Sequence, residues 1–442
     1  MKKGIVLFIS LMLMFCVGTI FARGTSEGVG GKTTVTVQSW QHGLGMYKGL
    51  TDDDSQSRAI EEDFKAANPN ADLSFKLLRT EDHMQSLRVD FAAGTAPDVI
   101  GLASGSVLEE FKDRLEPLGS YAEREWGANW QNKFTPASLS TILLSGDEVF
   151  AFPSAMSASG FIWYNNHLMR RANVPVPHDW VQLEKTTSGL RENGLIPLMF
   201  GGRDEWQNLD MFIVIMGTIN KELANEVFAK QASWTERDVV KAFDYYQKLY
   251  SEGIVQDGAI STTMYNEGYS LWRDDDGNST IPMMFNGSWE LGTLKKENSF
   301  YETFSSNDIS IATFPAIEGN SAIALSAPDV TWAINIDSEN KDAAWDFIKW
   351  ISYDMQQQVV DSLGFFSVLV DSPSPSVELP EDYRACYDVI VSAISGERTL
   401  GFRTSLYSDV NQALYDTLQQ LAAGQITPQE AGEVMQKKVG NK

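Results

Sequence analysis

From residue 33 onward, short β-branched or apolar runs alternate with amphipathic stretches, and this alternation restricts the fold more than any other feature of the chain. Residues 33–40 (TTVTVQSW) read as a strand, residues 57–68 (SRAIEEDFKAAN) as a helix stopped by Pro69, and residues 71–78 as a second strand. A helix over residues 82–93 ends at Gly94, and residues 98–102 (DVIGL) form a short apolar strand followed by Ser104, Gly105 and Ser106. Strands alternating with helices pair in parallel and carry helices on both sheet faces. Ligands of such sheets sit beyond the carboxyl ends of the strands, which here carry Trp40-Gln41-His42 and Ser104-Gly105-Ser106.

The pattern then starts again. Residues 149–153, 160–165, 196–201 and 281–285 read as strands, and residues 209–219, 236–252 and 267–272 as helices. Residues 330–336 and the helix 342–352 return to the first sheet, Pro373, Pro375 and Pro380 mark a linker, and residues 382–438 are mostly helical. A chain of 442 residues exceeds one ordinary compact domain, so a two-lobed α/β body is expected.

The N-terminus has a different character. Lys2 and Lys3 precede an apolar run over residues 5–21, and Ile20-Phe21-Ala22 supplies a small residue at a cleavage position. That order is the one of a secretory signal peptide, 1–22, rather than of a membrane anchor, and residues 23–32 follow as a flexible Gly- and Ser-rich leader. Leu13-Met14-Phe15-Cys16 has the Leu of a lipoprotein box, with Phe15 where a small residue is usual. Lipidation of Cys16 with membrane anchoring, and removal of Cys16 with the signal, therefore both stay open. In either case Cys386 has no intrachain disulfide partner.

Charge and motif content exclude several function classes. A net charge of −24 argues against a nucleic-acid partner, which requires clustered Lys and Arg. The four His are not in zinc spacing, and no G-x-S-x-G elbow, G-x-G-x-x-G loop or intact phosphate loop occurs. Residues 274–278 hint at a calcium loop, but Ser279 and Phe285 stand where Gly and Glu are needed, and a solvated acidic turn is the better reading. No metal, cofactor or catalytic residue is therefore expected. With 59 Asp and Glu, a carboxylate pair of glycosidase type stays open.

Four segments carry a resemblance: FAAGTAPDVI (91–100), EVFAFPSAMSASGFIWYNNHLMRRANV (148–174), IPMMFNGSWELGTL (281–294) and DVTWAINIDSENKDAAWDFIKWIS (329–352). In order and spacing they resemble the sugar-type extracellular solute-binding proteins of bacterial ABC importers, relatives of maltose-binding protein. The chain departs from the pattern at Asn173, where Gly is usual, and at Trp163, where an aliphatic residue or Tyr is usual. The resemblance implies a periplasmic-binding-protein-like fold of type II topology with the ligand cleft between two lobes. Lobe one is expected over 33–148 plus 326–363 and lobe two over 149–325 plus 364–442, with hinges near 148–150, 319–326 and 363–370.

A sugar offers apolar C–H faces and a rim of hydroxyls, so its site wants flat aromatic rings beside orienting polar groups. The resemblance places Trp289 on the sugar. Trp40 and Gln41 end the first strand where the cleft opens, whereas His42 reads as an exposed loop residue. Arg203 and Trp206 follow a strand and precede a helix, Asp329 precedes a strand facing the cleft, and Ser104 and Ser106 offer hydroxyls or N–H groups. Tyr164 and Asn165 read as structural, and Trp234, Trp332, Trp345 and Trp350 as core.

The expected function is capture of a carbohydrate by hinge closure and delivery to ABC importer membrane subunits, by an extracytoplasmic, non-catalytic monomer. Open alternatives are a binding protein for a polyamine or glycerol phosphate, a secreted glycoside hydrolase, and a surface receptor that reads glycans without transport.

Overall fold

The computed structural model describes residues 32–440 apart from 46, 51, 141, 143–147, 273–280, 294–308 and 378–380. Cys16, the signal segment and the acidic run 274–278 lie outside the described residues.

Among the described residues, twelve strands run in chain order. They are β1 (Thr33–Ser39), β2 (Ala71–Leu77), β3 (Val99–Ala103), β4 (Ala151–Pro153), β5 (Met156–Ser159) and β6 (Phe161–Asn165). Then come β7 (Leu198–Met199), β8 (Met283–Asn286), β9 (Ile309–Thr313), β10 (Ala324–Pro328), β11 (Val330–Ile334) and β12 (Thr399–Leu400).

The opening segment folds as its pattern dictates. Helix α1 (Asp53–Ala67) begins earlier than residue 57, because Asp52 caps it by accepting from the Ser55 N–H at 2.8 Å while Asp53 and Asp54 face the positive end of the helix dipole. Helix α2 (Thr80–Ala93) ends on Gly94, whose φ of 67° is the left-handed cap that favours glycine. Asp98 then ties the start of β3 to its neighbours: its Oδ2 accepts from the Thr36 N–H at 2.9 Å, and its Oδ1 accepts from the Ser338 hydroxyl at 2.6 Å.

The first lobe is a five-stranded sheet of order β2-β1-β3-β11-β4, with β1 parallel to β2 and β3, and β11 antiparallel to β3 and β4. The second lobe holds the sheets β7-β8-β6-β9 and β12-β10-β5. This is a two-lobed α/β fold of the type II periplasmic-binding kind. Each lobe has its own buried core, one around Phe152, Trp332 and Trp345, the other around Phe212, Trp234 and Phe285. The helix Glu205–Ile219 runs through the second core with every residue from Gln207 to Thr218 buried.

Among the described residues, three segments join the lobes. Strands β4 and β5 follow one another antiparallel to β11 and β10, and the ladder continues between them through the Asp329 N–H to Ala155 C=O bond at 3.0 Å and the Ser154 N–H to Val330 C=O bond at 3.2 Å. The third segment bridges Met156 to Phe366 by two 2.9 Å backbone bonds. Beyond it, the helix Glu381–Ser395 joins the second lobe through Tyr383, Cys386 and Ile390.

Two local differences from the sequence reading have physical causes. The helix expected over 342–352 runs as Lys341–Lys349 and passes into a π-turn, Trp350–Asp354, that keeps Trp350 and Ile351 buried. Asn173, standing where the resembled pattern has Gly, adopts a φ of 54°, a conformation that Asn tolerates better than most side chains.

Candidate ligand-binding cleft

A cavity of about 500 Å³ opens at the carboxyl ends of β1 and β3 and meets residues of the second lobe. Trp40, Gln41, Ser104, Trp206, Trp289 and Asp329, read from sequence as site candidates, all line it. A second chamber of about 490 Å³ adjoins it and shares Trp40, Gln41, Tyr265, Trp289 and Phe365.

The aromatic wall is set by close backbone approaches. A Cβ on Gly287 would lie 2.2 Å from the Trp289 ring, and one on Gly364 would lie 2.9 Å from the Trp289 Cα. Only glycine at both positions lets the indole fold back against the third interlobe segment. The Trp289 and Trp206 rings meet edge to face, 5.6 Å apart at 70°. Tyr265 stacks on Trp206 at 5.8 Å and 21°, and remains 54% exposed inside the opening. Across the cavity, Trp40 rests on His83 at 5.7 Å. The His83 Nε2–H donates to the Gly101 carbonyl at 2.8 Å, and burial holds this imidazole below its usual pKa.

The polar floor is a network around Arg403. Its guanidinium grips Asp210 with Nε at 3.1 Å and Nη2 at 2.7 Å, in the bidentate geometry that arginine provides. Its Nη1 donates to Ser157 Oγ at 3.1 Å and stands 3.7 Å from Asp329 Oδ1. The Ser157 hydroxyl in turn donates to Asp329 Oδ1 at 3.1 Å, and the Gln41 amide donates to Oδ2. The guanidinium carbon lies 4.8 Å from the Trp289 ring centre and 5.9 Å from that of Trp206, so the cation also seats both indoles. Burial pushes the Asp329 carboxyl up, an effect partly offset by Arg403 and the Ser157 hydroxyl.

Two candidates face elsewhere. Arg203 is exposed and does not line the cavity. The Gly201-Gly202 turn packs against Ala259 and Tyr250 so closely that it turns residue 203 outward and brings Trp206, three residues on, into the wall. Ser106 is buried at the start of helix α3 (Ser106–Phe111) and accepts from Asn411 at 2.9 Å, a hydrogen bond that ties the C-terminal region to the first lobe.

His42 corrects the reading of an exposed loop residue. It is buried, its Nε2 lies 2.8 Å from Gln56 Oε1, and its Nδ1 accepts from the Leu44 N–H at 3.1 Å. Burial lowers its pKa to about 4, against a smaller upward effect of Gln56. The loop folds back here because Gly43, at a φ of 73°, lies against Ser154.

The lining residues that sequence reasoning did not find include Asp210, Tyr265, Phe365 and Arg403. Tyr265 sits in a π-turn, Met264–Gly268, where the sequence reading begins a helix only at 267; the Tyr265/Tyr269 spacing of four was the available signal. Arg403 lies in the link between β12 and the helix Ser408–Ala422, and no local pattern distinguishes it. Tyr164 and Asn165 are structural: Tyr164 is buried in β6, and Asn165 caps the next helix by accepting from the Leu168 N–H at 3.1 Å.

A cleft between two α/β lobes, walled by aromatics and floored by a charged network, is the arrangement of a solute-binding protein. The chain matches the family described as bacterial extracellular solute-binding protein over residues 48–358, and it belongs to that family. A probable sugar-binding periplasmic protein of Rhizobium meliloti (strain 1021) is 22% identical over 362 residues, covering 79% of this chain and 81% of its own. Among solved structures, a chitin oligosaccharide binding protein superposes with a TM-score of 0.72 at 19% identity, covering 92% of this chain and 98% of its own. The bacterial solute receptor AcbH, whose exclusive substrate preference is for β-D-galactopyranose, superposes with a TM-score of 0.73 at 17% identity, covering 92% and 98%. At these identities the structural likeness establishes the fold.

Proposed function

We propose that this protein captures a carbohydrate in the cleft between its lobes and delivers it to the membrane subunits of an ABC importer, without chemistry of its own. The observation that carries the reading is the cavity itself, where Trp40, Trp206, Trp289 and Tyr265 offer ring faces beside the Asp329 carboxylate and Gln41 amide. Rings suit the C–H faces of a pyranose, and a carboxylate accepting from hydroxyls fixes its orientation. The sugar-binding names of the relatives support the same choice, and the four sequence segments support kinship with maltose-binding protein. Against hydrolysis, Asp210 uses both carboxylate oxygens on Arg403 rather than flanking a bond.

The lobes are taken to comprise 33–153 plus 330–363 and 156–328 plus 381–442, rather than to divide at 148/149 and 325/326, because β4 lies in the first sheet and β10 in a sheet of the second lobe; the crossovers are then 154–155, 329 and a third interlobe segment after 363. Closure about these crossovers brings Trp40 of the first lobe toward Trp206 and Trp289 of the second. A shift from mostly open to mostly closed needs about 5.5 kcal/mol of differential affinity, which stacked rings and charge-assisted hydrogen bonds supply. Residues 1–22 are taken as the secretion signal, with Cys16 as the alternative lipid attachment point, and among the described residues no helix is long and apolar enough to cross a membrane.

The test is a thermal-shift screen of the mature protein against mono- and oligosaccharides, with spermidine, putrescine and glycerol 3-phosphate as controls. A ligand at about 100 times its Kd adds about 2.7 kcal/mol, a visible rise in midpoint. A saccharide-selective rise lost in Trp289→Ala supports the reading. A rise with spermidine or putrescine alone keeps the cleft and overturns the carbohydrate. Small-angle scattering unchanged at saturating sugar overturns closure.

A further inference from the structure

The charge around the cleft names the class of saccharide, on the basis of the carbohydrate reading above. Among the described residues, the two chambers are lined by three carboxylates, Asp53, Asp210 and Asp329, and one guanidinium, Arg403. That guanidinium is committed. It holds Asp210 bidentately, donates to Ser157 and lies against two indole faces, which leaves little of it for a ligand anion. No described lysine lines either chamber, and His42 is buried in its neutral form between Gln56 and the Leu44 N–H. Glu290, buried behind Tyr269 and Asn286, adds a further acid close to the wall.

Asp329 is the group that a ligand meets. Each of its oxygens receives one protein donor, Ser157 on Oδ1 and Gln41 on Oδ2, and a carboxylate oxygen has a second lone pair to offer. A ligand hydroxyl donates into that position. A ligand carboxylate or phosphate brings no proton and faces like charge in a site where most of the water is displaced. We propose that the cleft sorts saccharides by charge, taking uncharged sugars and excluding uronic acids and sugar phosphates, and that Asp329 enforces the exclusion. Like charges about 4–5 Å apart at an effective dielectric near 20 repel enough to weaken binding on the order of 100-fold.

The experiment is titration calorimetry of the full mature chain with matched pairs: galactose and galacturonate, glucose and glucose 6-phosphate, and maltose and cellobiose with their C6-oxidised acids. For any neutral sugar that binds, its acid is expected to bind at least about 100-fold more weakly in the wild type, and the gap is expected to narrow at least tenfold in Asp329→Asn. The wild-type pairs test the exclusion without any variant, so a poorly folded Asp329→Asn does not remove the test. An acid within about threefold of its neutral partner overturns the sorting by charge while the carbohydrate reading stands. An intact gap in a folded Asp329→Asn removes Asp329 as its cause. If no sugar of either kind binds and spermidine does, the carbohydrate reading fails and this inference fails with it.

Discussion

Two aromatic clusters in this molecule use the same residue types at the same spacing to opposite ends. In the first lobe, Trp345 meets Trp126 at 5.5 Å and Phe152 at 5.6 Å, edge to face, and Phe152 meets Trp130 at 5.2 Å. Trp345 is 1% exposed, and its ring is enclosed by neighbours. In the cleft, Trp206 and Trp289 meet at 5.6 Å in the same geometry, yet both line an open cavity. A ring packed on all sides contributes stability; a ring packed on one face keeps the other for a partner. The cleft pair is also seated differently, because Arg403 lies over both indoles, whereas the cations beside the core cluster, Arg124 and Lys133, lie over the Tyr121 and Tyr353 rings at its rim.

The comparison breaks first at Arg403. Arg403→Met fills similar volume but leaves Asp210, 1% exposed, as an uncompensated buried carboxylate. Breaking a buried pair from one side costs about 3–5 kcal/mol, so urea unfolding is expected to show a loss of that size together with weakened ligand binding. A loss under about 1 kcal/mol would mean that the cleft aromatics hold themselves in place as the core does.

Next comes the pair of truncations that separates the clusters. Trp345→Ala is expected to lower stability by about 3–5 kcal/mol while the remaining folded protein binds ligand as before. Trp289→Ala reverses the pattern, with a small stability loss and an affinity loss of about 2 kcal/mol, roughly 30-fold. Equal stability losses with unchanged affinity would erase the distinction.

The same contrast governs what the sequence reveals. The first lobe was legible because β1, α1, β2, α2 and β3 succeed one another locally, each bounded by a cap, a Gly or a Pro. Trp332, Trp345 and Trp350 could be assigned to cores because their apolar faces repeat at helix or strand period, whereas Trp234 lies in a turn, and all four are buried. Trp40, Ser104, Trp289 and Asp329 were visible for a second reason, since each lies just beyond a strand end or between strands, and Trp206 because it opens the helix that follows β7. Arg403 and Asp210 had no such marker. They are 193 residues apart in sequence, and their pairing follows from the return of the C-terminal link through β12 to the second lobe. His42 was misjudged for a related reason: its neighbours Gln56 and Ser154 come from a helix start and an interlobe segment, which only tertiary packing brings together.

The smallest effect is a pH dependence that the core cluster lacks. Burial holds the Asp329 carboxyl above its ordinary value, with Arg403 pulling it down and Asp210 pushing it up. A raised pKa in the folded state means that the folded chain takes up this proton at higher pH than the unfolded chain. Its stability contribution is therefore complete below the unfolded value and is lost as pH rises through the folded one. Binding runs the other way. Protonation turns a charge-assisted acceptor into a neutral one, worth about 1 kcal/mol or roughly fivefold in affinity for a hydroxyl-bearing ligand. On acidification, wild type is expected to gain stability relative to Asp329→Asn while its advantage in affinity over that variant shrinks. Paired melting and binding curves across acidic pH check both signs at once, with Trp345→Ala as the variant that shifts neither. If affinity and stability fall together, Asp329 is not the group that titrates.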